Sequence, residues 1–183
     1  DRSCTVHFYT TGPPYGKIRF GDTTYSNGET ATVPPGTYTA KAIPPNSDWG
    51  FDSWAVAGGV HVSSTKSNPT TVTVSGDGNL VASFDPYITF YTDPAGTITV
   101  SGGDGAGTYT NGQKAMLDDG AAYQIKANPP QGYVFSKWVV TGSLEVSSAT
   151  SNPATLKVNG PGSVKAVFKP QQEQYTVHFY TTG

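Results

Sequence analysis

Apolar and polar residues alternate over short stretches of this chain, and clusters of proline, glycine and asparagine separate the stretches. Near the amino terminus, Val6 and Phe8 alternate with His7 and Tyr9. Alternation with a period of two predicts a β-strand with one buried face, because successive strand residues point to opposite sides. The helical spacing of three to four residues is missing. The pattern therefore predicts an all-β chain.

The first half of the chain reads as a succession of such strands. The alternation continues after a proline-rich turn, and residues 49–54 form the densest aromatic cluster. The half closes with residues 70–74 and 80–84, which flank the glycine-rich segment 75–79. That composition is typical of a tight turn between paired strands, so we predict a terminal β-hairpin here.

An internal repeat organises the chain. Residues 5–12 return unchanged as residues 176–183, and a weaker copy over residues 88–92 opens a second unit. Such self-similarity is the signature of a tandem repeat architecture. Large aromatic residues that recur 84 positions apart are predicted to anchor the two cores; they are Phe51, Trp54 and Phe84 in the first unit and Phe135, Trp138 and Phe168 in the second.

The repeat divides the chain into three parts. We predict one β repeat domain over residues 1–86, a second over residues 87–170, and a linker with an extra strand over residues 171–183. Each domain is large enough for only a small core. The expected fold is therefore two tandem small β-sandwich-like domains followed by an additional C-terminal strand.

Three segments of the second unit carry a family resemblance. Residues 132–138 read Gly-Tyr-Val-Phe-Ser-Lys-Trp, residues 151–153 read Ser-Asn-Pro, and residues 164–168 read Val-Lys-Ala-Val-Phe. This order resembles the divergent internalin-B-type repeat (InlB B-repeat-like) of bacterial and archaeal cell-surface proteins, and the first unit matches it more loosely. The resemblance implies spacer, stalk or adhesive modules. It also implies β-grasp-like units as the alternative fold, although the residues show no helical periodicity.

Composition narrows the range of functions. Only 13% of the residues are charged and the formal net charge is −2, so the chain lacks the basic field that nucleic-acid binding requires. No apolar run is long enough for a transmembrane helix, so membrane insertion is not expected. The single cysteine, Cys4, cannot form a disulfide within the chain, and Tyr175 takes its place before the second copy of the repeated strand.

A search for catalytic, metal-binding and cofactor-binding groups predicts none. The three histidines lack the clustered partners that a metal site or a catalytic base needs. Asp118 and Asp119 resemble a fragment of a calcium loop without its further oxygen ligands, and we interpret them as turn residues. Residues 102–107 are glycine-rich but precede no helix, so phosphate binding is not predicted. We expect no enzymatic activity, no cofactor and no metal.

The surplus strand suggests a function. An exposed strand with unpaired edges favours pairing with another sheet, and the groove that receives residues 5–12 must also fit their duplicate. Our hypothesis is a homopolymer, an extracellular filament or pilus-like fibre formed by donor-strand complementation into the first domain of the next subunit. The assembly strand comprises Thr176, Val177, His178, Phe179, Tyr180 and Thr181; its equivalent comprises Thr5, Val6, His7, Phe8, Tyr9 and Thr10.

Two alternatives stay open from the sequence. The chain reads equally well as a window from a longer tandem array, in which residues 176–183 begin the next repeat. A carbohydrate-binding or adhesive repeat module of a larger secreted surface protein is the alternative function, with a glycan or cell-surface ligand as partner, because Trp49 and Tyr133, together with the repeated tyrosines, could stack on sugar rings. Packing beside the core is the favoured interpretation of these two aromatics.

Overall fold

The computed structural model describes residues 2–173 and 176–183, and these residues form thirteen β-strands and no α-helix. None of them forms a helix long and apolar enough to cross a membrane. The predicted all-β fold is confirmed. In chain order the strands are β1 (Cys4–Thr10), β2 (Lys17–Phe20), β3 (Thr23–Ser26), β4 (Thr30–Val33), β5 (Gly36–Ile43), β6 (Trp49–Val62), β7 (Thr70–Asp93), β8 (Thr97–Ser101), β9 (Gly107–Thr110), β10 (Lys114–Met116), β11 (Ala122–Asn128), β12 (Tyr133–Val146) and β13 (Ala154–Pro170).

Unit 1, residues 2–86, is built on the long antiparallel pairing of β6 with β7. The other edge of β7 carries two different strands. β5 pairs antiparallel with residues 70–74 of β7, whereas β1 pairs parallel with residues 78–82. β2 and β3 extend the sheet beyond β5, and β4 extends it beyond β1. The sheet of unit 1 therefore divides into two arms.

The two arms pack face to face and enclose the core of unit 1. Phe8 of β1 stacks on Tyr25 of β3, with ring centroids 4.3 Å apart and planes 14° apart. Phe8 also contacts Phe20 of β2 at 5.3 Å. Because β1 lies in one arm while β2 and β3 lie in the other, these contacts bury the inner faces of both, which makes the unit sandwich-like.

The predicted hairpin at the end of unit 1 is wrong, since β7 passes through residues 75–79 without a turn. The glycines of this segment instead lie against the glycines of β6. A Cβ atom on Gly59 would overlap the backbone of Gly76, and Gly58 adopts a φ of +67°. A close approach of two bent strands, rather than a reversal of the chain, requires these glycines.

Unit 2, residues 87–170, repeats the topology of unit 1. β12 pairs with β13 as β6 does with β7, and β11, β8 and β9 form one arm. The other arm consists of the last part of β7, which pairs parallel with β13 and antiparallel with β10. Phe90 in this segment stacks on Tyr109 at 4.6 Å, as Phe8 stacks on Tyr25. The place of β1 is therefore filled in unit 2 by a strand that continues directly from unit 1.

The predicted boundary at residue 86 lies inside β7, so a continuous strand joins the two units. Two hydrogen bonds cross the junction beside it. The backbone N–H of Tyr87 donates to the carbonyl oxygen of Asp48 at 2.9 Å, and that of Leu117 donates to the carbonyl oxygen of Pro86 at 3.1 Å. A paired strand with flanking hydrogen bonds resists bending far more than a polar linker does.

The tryptophan and Asn-Pro motifs hold the same two loops in each unit. Trp54 Nε1 donates to the carbonyl oxygen of Ser67 at 2.8 Å, and the Asn68 side chain bonds both the N–H and the C=O of Ala42. Unit 2 has the equivalent pairs Trp138–Ser151 and Asn152–Ala127. Of the six aromatics expected as core anchors, four are buried and two are partly buried against the cores; the buried ones are Trp54, Phe84, Trp138 and Phe168, and the others are Phe51 and Phe135.

Candidate assembly site

β1 is an interior strand of unit 1. β4 flanks it on one edge and β7 on the other, so its main chain is paired on both sides. The side chains of Cys4, Val6 and Phe8 point into the core and are at most 1% exposed. We call the position that β1 fills the first-strand groove. It is lined by β4, β7 and the aromatic rings of Phe20 and Tyr25.

Side-chain hydrogen bonds fix the register of β1 at both ends. The N–H of Thr5 donates to Asp77 Oδ1 at 2.7 Å. At the other end, the N–H of Thr10 donates to Asn27 Oδ1 at 2.9 Å, and Thr10 Oγ1 donates to the carbonyl oxygen of Gly16 at 3.1 Å.

The residue after the strand adds a further contact. Thr11 Oγ1 accepts a hydrogen bond from the N–H of Phe84 at 2.9 Å, while its own N–H donates to the carbonyl oxygen of Ala82. The groove therefore recognises threonine hydroxyls and backbone groups as well as the apolar face of the strand.

The outer face of β1 carries no catalytic arrangement. His7 and Tyr9 lie on this face with parallel rings 6.5 Å apart, and Tyr9 is 40% exposed. Cys4 points to the opposite face, into the core, as the period of a strand requires. The imidazole and the thiol therefore lie on different faces of the sheet.

The C-terminal tail, residues 176–183, belongs to no strand and is exposed. Val177 is 66% exposed and Phe179 is 90% exposed, although their counterparts Val6 and Phe8 are fully buried. The strand predicted over these residues is thus unpaired in the single chain, and its formation in an assembly stays a prediction. Tyr175, which aligns with Cys4, lies outside the described residues.

The tail matches the groove of unit 1 better than that of unit 2. It is identical to residues 5–12, whereas it shares only three of eight residues with positions 87–94, the first strand of unit 2. The identity includes the hydrogen-bonding threonines, since Thr181 and Thr182 stand where Thr10 and Thr11 do. Sequence comparison found the duplicate; the polar partners Asp77 and Asn27 became visible only in the structure.

No tryptophan offers a sugar-stacking face. Trp49, Trp54 and Trp138 are 6%, 2% and 3% exposed, and the sequence contains no fourth tryptophan. Tyr133 is partly buried against the core of unit 2. Trp49 and Tyr133 are therefore used in packing, whereas the repeated tyrosines Tyr9 and Tyr91 are 40% and 41% exposed.

The glycine-rich segment 102–107 also has a packing role. A Cβ atom on Gly103 would lie 2.9 Å from the ring of Tyr123, which is buried. The Tyr123 hydroxyl donates to the carbonyl oxygen of Asp104 and accepts from the N–H of Asp118. The segment therefore covers Tyr123, and its glycines allow the close approach.

Carboxylates gather at the junction of the two units. Asp52, Asp85 and Asp118 place carboxylate oxygens within 4.8 Å of one another in a cleft of about 360 Å³. Burial raises the pKa of Asp85 to about 6; the carboxylates of Asp52, Asp118 and Asp119 add to this, and a hydrogen bond from the Asp119 N–H opposes it. Oxygen ligands of this kind suit a hard cation such as Ca²⁺.

The carboxylate cluster was missed from the sequence, where Asp118 and Asp119 were interpreted as turn residues. Its members lie more than thirty residues apart along the chain, and no local pattern connects them. At the end of unit 2, Lys169 stands at the position of Asp85, and Ser136 stands at that of Asp52.

Two adjacent matches identify the family. The divergent InlB B-repeat domain matches residues 9–87 and again residues 91–172. These segments correspond to the two structural units and cover most of the chain. The protein belongs to this repeat family, which confirms the resemblance carried by the tryptophan and Asn-Pro motifs. No curated protein sequence matches the chain.

Among solved structures, the chain is similar to two kinds of pilus protein. The SpaC pilus adhesin of Lactobacillus rhamnosus GG has a TM-score of 0.31 and 14% identity over 94% of this chain, which spans 32% of that protein. The major pilin T-13 of Streptococcus pyogenes has a TM-score of 0.32 and 12% identity, covering 93% of this chain and 98% of the pilin. Scores this low do not establish a common topology.

Proposed function

We propose that the protein is a non-enzymatic structural subunit of an extracellular filament or cell-surface fibre. Subunits join head to tail when the tail of one chain occupies the first-strand groove in unit 1 of the next. The observation that carries this proposal is the identity of the exposed residues 176–183 with residues 5–12, the buried strand β1 and the two residues that follow it.

The inserted tail can make the contacts that Thr5 to Thr11 make; Cys4, the first residue of β1, is replaced by Tyr175. Val177 and Phe179 take the places of Val6 and Phe8, and burying two such side chains contributes about 1.5–3 kcal/mol each. Thr181 meets Asn27 and the carbonyl of Gly16, as Thr10 does. Because the polar partners are also matched, insertion leaves no new buried group unpaired.

The contact propagates because its two sides are different surfaces. A subunit whose tail has entered a neighbour still presents its own unit 1 to a third chain. Heterologous contacts of this kind form open fibres when they do not close into a ring. The stiff junction between units 1 and 2 makes each subunit a two-unit segment, and the polar residues 171–173 lead from it to the tail.

An extracellular or cell-surface location is supported by membership of the InlB-type repeat family. The partner is a second copy of the same chain. A glycan-binding role is less well supported, since all three tryptophans are buried.

Light scattering and electron microscopy test the proposal on the full chain and on a chain that ends at residue 173. Both are held at several hundred micromolar just below the unfolding midpoint, where local opening permits strand exchange, and then cooled. We expect oligomers or fibres that require residues 176–183. Equal mass distributions for the two chains would refute strand addition and leave the tail as the beginning of a further repeat.

A further inference from the structure

We infer that β1 is an intramolecular cap on the first-strand groove of unit 1, so that a subunit accepts the tail of another chain only after its own β1 has left. This inference rests on the proposed function and describes how the assembly of subunits is regulated. The groove contains no space beside β1, because Val6 and Phe8 are fully buried and both edges of the strand are paired. Tail and β1 are therefore mutually exclusive occupants.

Identical sequences give the two competitors similar contacts, so their tethering decides which one binds. β1 is joined to β2 by residues 11–16, a short loop that gives it an effective concentration of about millimolar. A tail on another chain is present at the concentration of the protein. At micromolar protein, β1 is therefore favoured by roughly 1000-fold. The closed monomer is the expected resting state.

The first strand of unit 2 cannot leave its groove as independently as β1 can. It is the continuation of β7, whose preceding residues form the base of unit 1. Removal of that strand would also break the hydrogen bond that the N–H of Tyr87 donates to the carbonyl oxygen of Asp48 in unit 1. β1 is instead connected to β2 through a loop in which Tyr15 is 53% exposed. The acceptor site is therefore unit 1 of a second copy.

Reciprocal substitutions in the duplicated strand test the inference. Phe8→Ala weakens the cap and leaves the tail intact, so the concentration for half-maximal assembly should fall by about 100-fold or more. Phe179→Ala weakens the tail alone and should raise that concentration by a similar factor. The double variant restores the balance between the competitors and should assemble like the unmodified chain. Phe8→Leu, a milder change, should act in the direction of Phe8→Ala if that variant folds poorly.

Cys4 supplies an independent readout. Its thiol is 1% exposed while β1 occupies the groove, and the tail brings Tyr175 rather than a second cysteine. Maleimide labelling of Cys4 should therefore be slow in the monomer and fast in assembled material. In a matched experiment, the chain ending at residue 173 should be labelled slowly both before and after the assembly treatment.

The outcomes separate the cap from the assembly itself. If Phe8→Ala and the unmodified chain assemble at the same concentration and Cys4 stays protected, β1 remains in place during assembly and the cap is refuted. If neither the unmodified chain nor any variant assembles, even after partial unfolding at high concentration, both the proposed function and the cap are refuted.

Discussion

Units 1 and 2 have the same topology but obtain their first strand in different ways. In unit 1 the strand is β1, which a loop connects to β2; in unit 2 it is the second part of β7, which continues from unit 1. Phe8 and Phe90 occupy equivalent positions, and each is fully buried and stacked on a tyrosine. The difference is one of covalent connection rather than of packing.

This comparison shows how a repeat unit can become a site of assembly without a new fold. A strand that continues into a neighbouring unit stabilises the connection between the two, whereas a strand joined by a loop can be exchanged for another of the same sequence. Under the proposed function, the strand in this groove is fixed in unit 2 and replaceable in unit 1. Equivalent substitutions in the two units measure whether the different connection of the first strand changes the stability and the strand exchange of each unit.

The largest expected effect comes from truncating the stacked phenylalanines. Phe8→Ala and Phe90→Ala should each cost about 3–5 kcal/mol of unit stability, because each removes a fully buried ring. A synthetic peptide with the sequence of residues 176–183 should restore unit 1 in the Phe8→Ala chain through binding to the folded state. A peptide with the sequence of residues 87–94 should not restore unit 2 in the Phe90→Ala chain, because the first strand of unit 2 continues from unit 1. Urea unfolding followed by tryptophan fluorescence at submicromolar protein provides the measurement.

A peptide carrying alanine in place of the phenylalanine is the control, and it should rescue neither variant. Equal rescue of each variant by the peptide that matches its own first strand would mean that the first strand of unit 2 is also exchangeable. The continuous β7 would then impose no constraint, and the comparison drawn above would be wrong.

Local patterns were sufficient to predict an all-β chain with a tandem repeat. Alternation along residues 4–10 and the 84-residue spacing of Trp54 and Trp138 are properties of short segments, so they can be read without the fold. The first strand of unit 2 was predicted from its likeness to residues 5–12. Its continuity with unit 1 was not, because residues 75–79 have the composition of a turn.

The remaining features depend on contacts between distant parts of the chain. Gly59 is needed because the backbone of Gly76 on another strand approaches it, and a glycine-rich segment alone does not distinguish this from a turn. Asp77 and Asn27 meet β1 only once the sheet has formed. The duplicated strand led to the proposed assembly segment, but the sequence could not show that β1 already fills the groove.

Replacing the asparagine of the Asn-Pro motif by alanine should lower unit stability less than the phenylalanine substitutions do, and by the same amount in the two units. Asn68 bonds both backbone groups of Ala42, and Asn152 does the same with Ala127 at nearly the same distances. Replacement by alanine leaves two groups of a buried strand residue unpaired, so each substitution should cost about 2–3 kcal/mol. Urea unfolding of both variants checks this.

Asn46→Ala is the matched control, because Asn46 is exposed and its side chain accepts a hydrogen bond from the nearby N–H of Asp48. Its cost should stay below about 1 kcal/mol. A difference of more than about 1 kcal/mol between the Asn68 and Asn152 variants would show that the two units use the motif differently. Their equivalence would then be limited to topology.

The smallest effect concerns the junction, where the end of unit 1 carries Asp85 and the end of unit 2 carries Lys169. The pKa of Asp85 is raised from 3.8 to about 6, chiefly by burial. Between these values the folded chain binds a proton that the unfolded chain does not, so this contribution to stability is present at low pH and is lost as pH rises through about 6. The half-exposed position screens the effect, which we expect to be about 1 kcal/mol.

Asp85→Asn should remove this pH dependence, since the amide keeps an oxygen for the N–H of Asp119 but cannot ionise. Relative to the unmodified chain, the variant should be more stable by about 1 kcal/mol at pH 7 and unchanged near pH 4. Urea unfolding at four pH values between 4 and 7 measures the difference, and Asp22→Asn, an exposed position in unit 1, serves as the control. If Asp85→Asn instead lowers stability at pH 7, the ionised carboxylate holds the two units together, and the rigidity of the junction depends on charge rather than on the continuous strand.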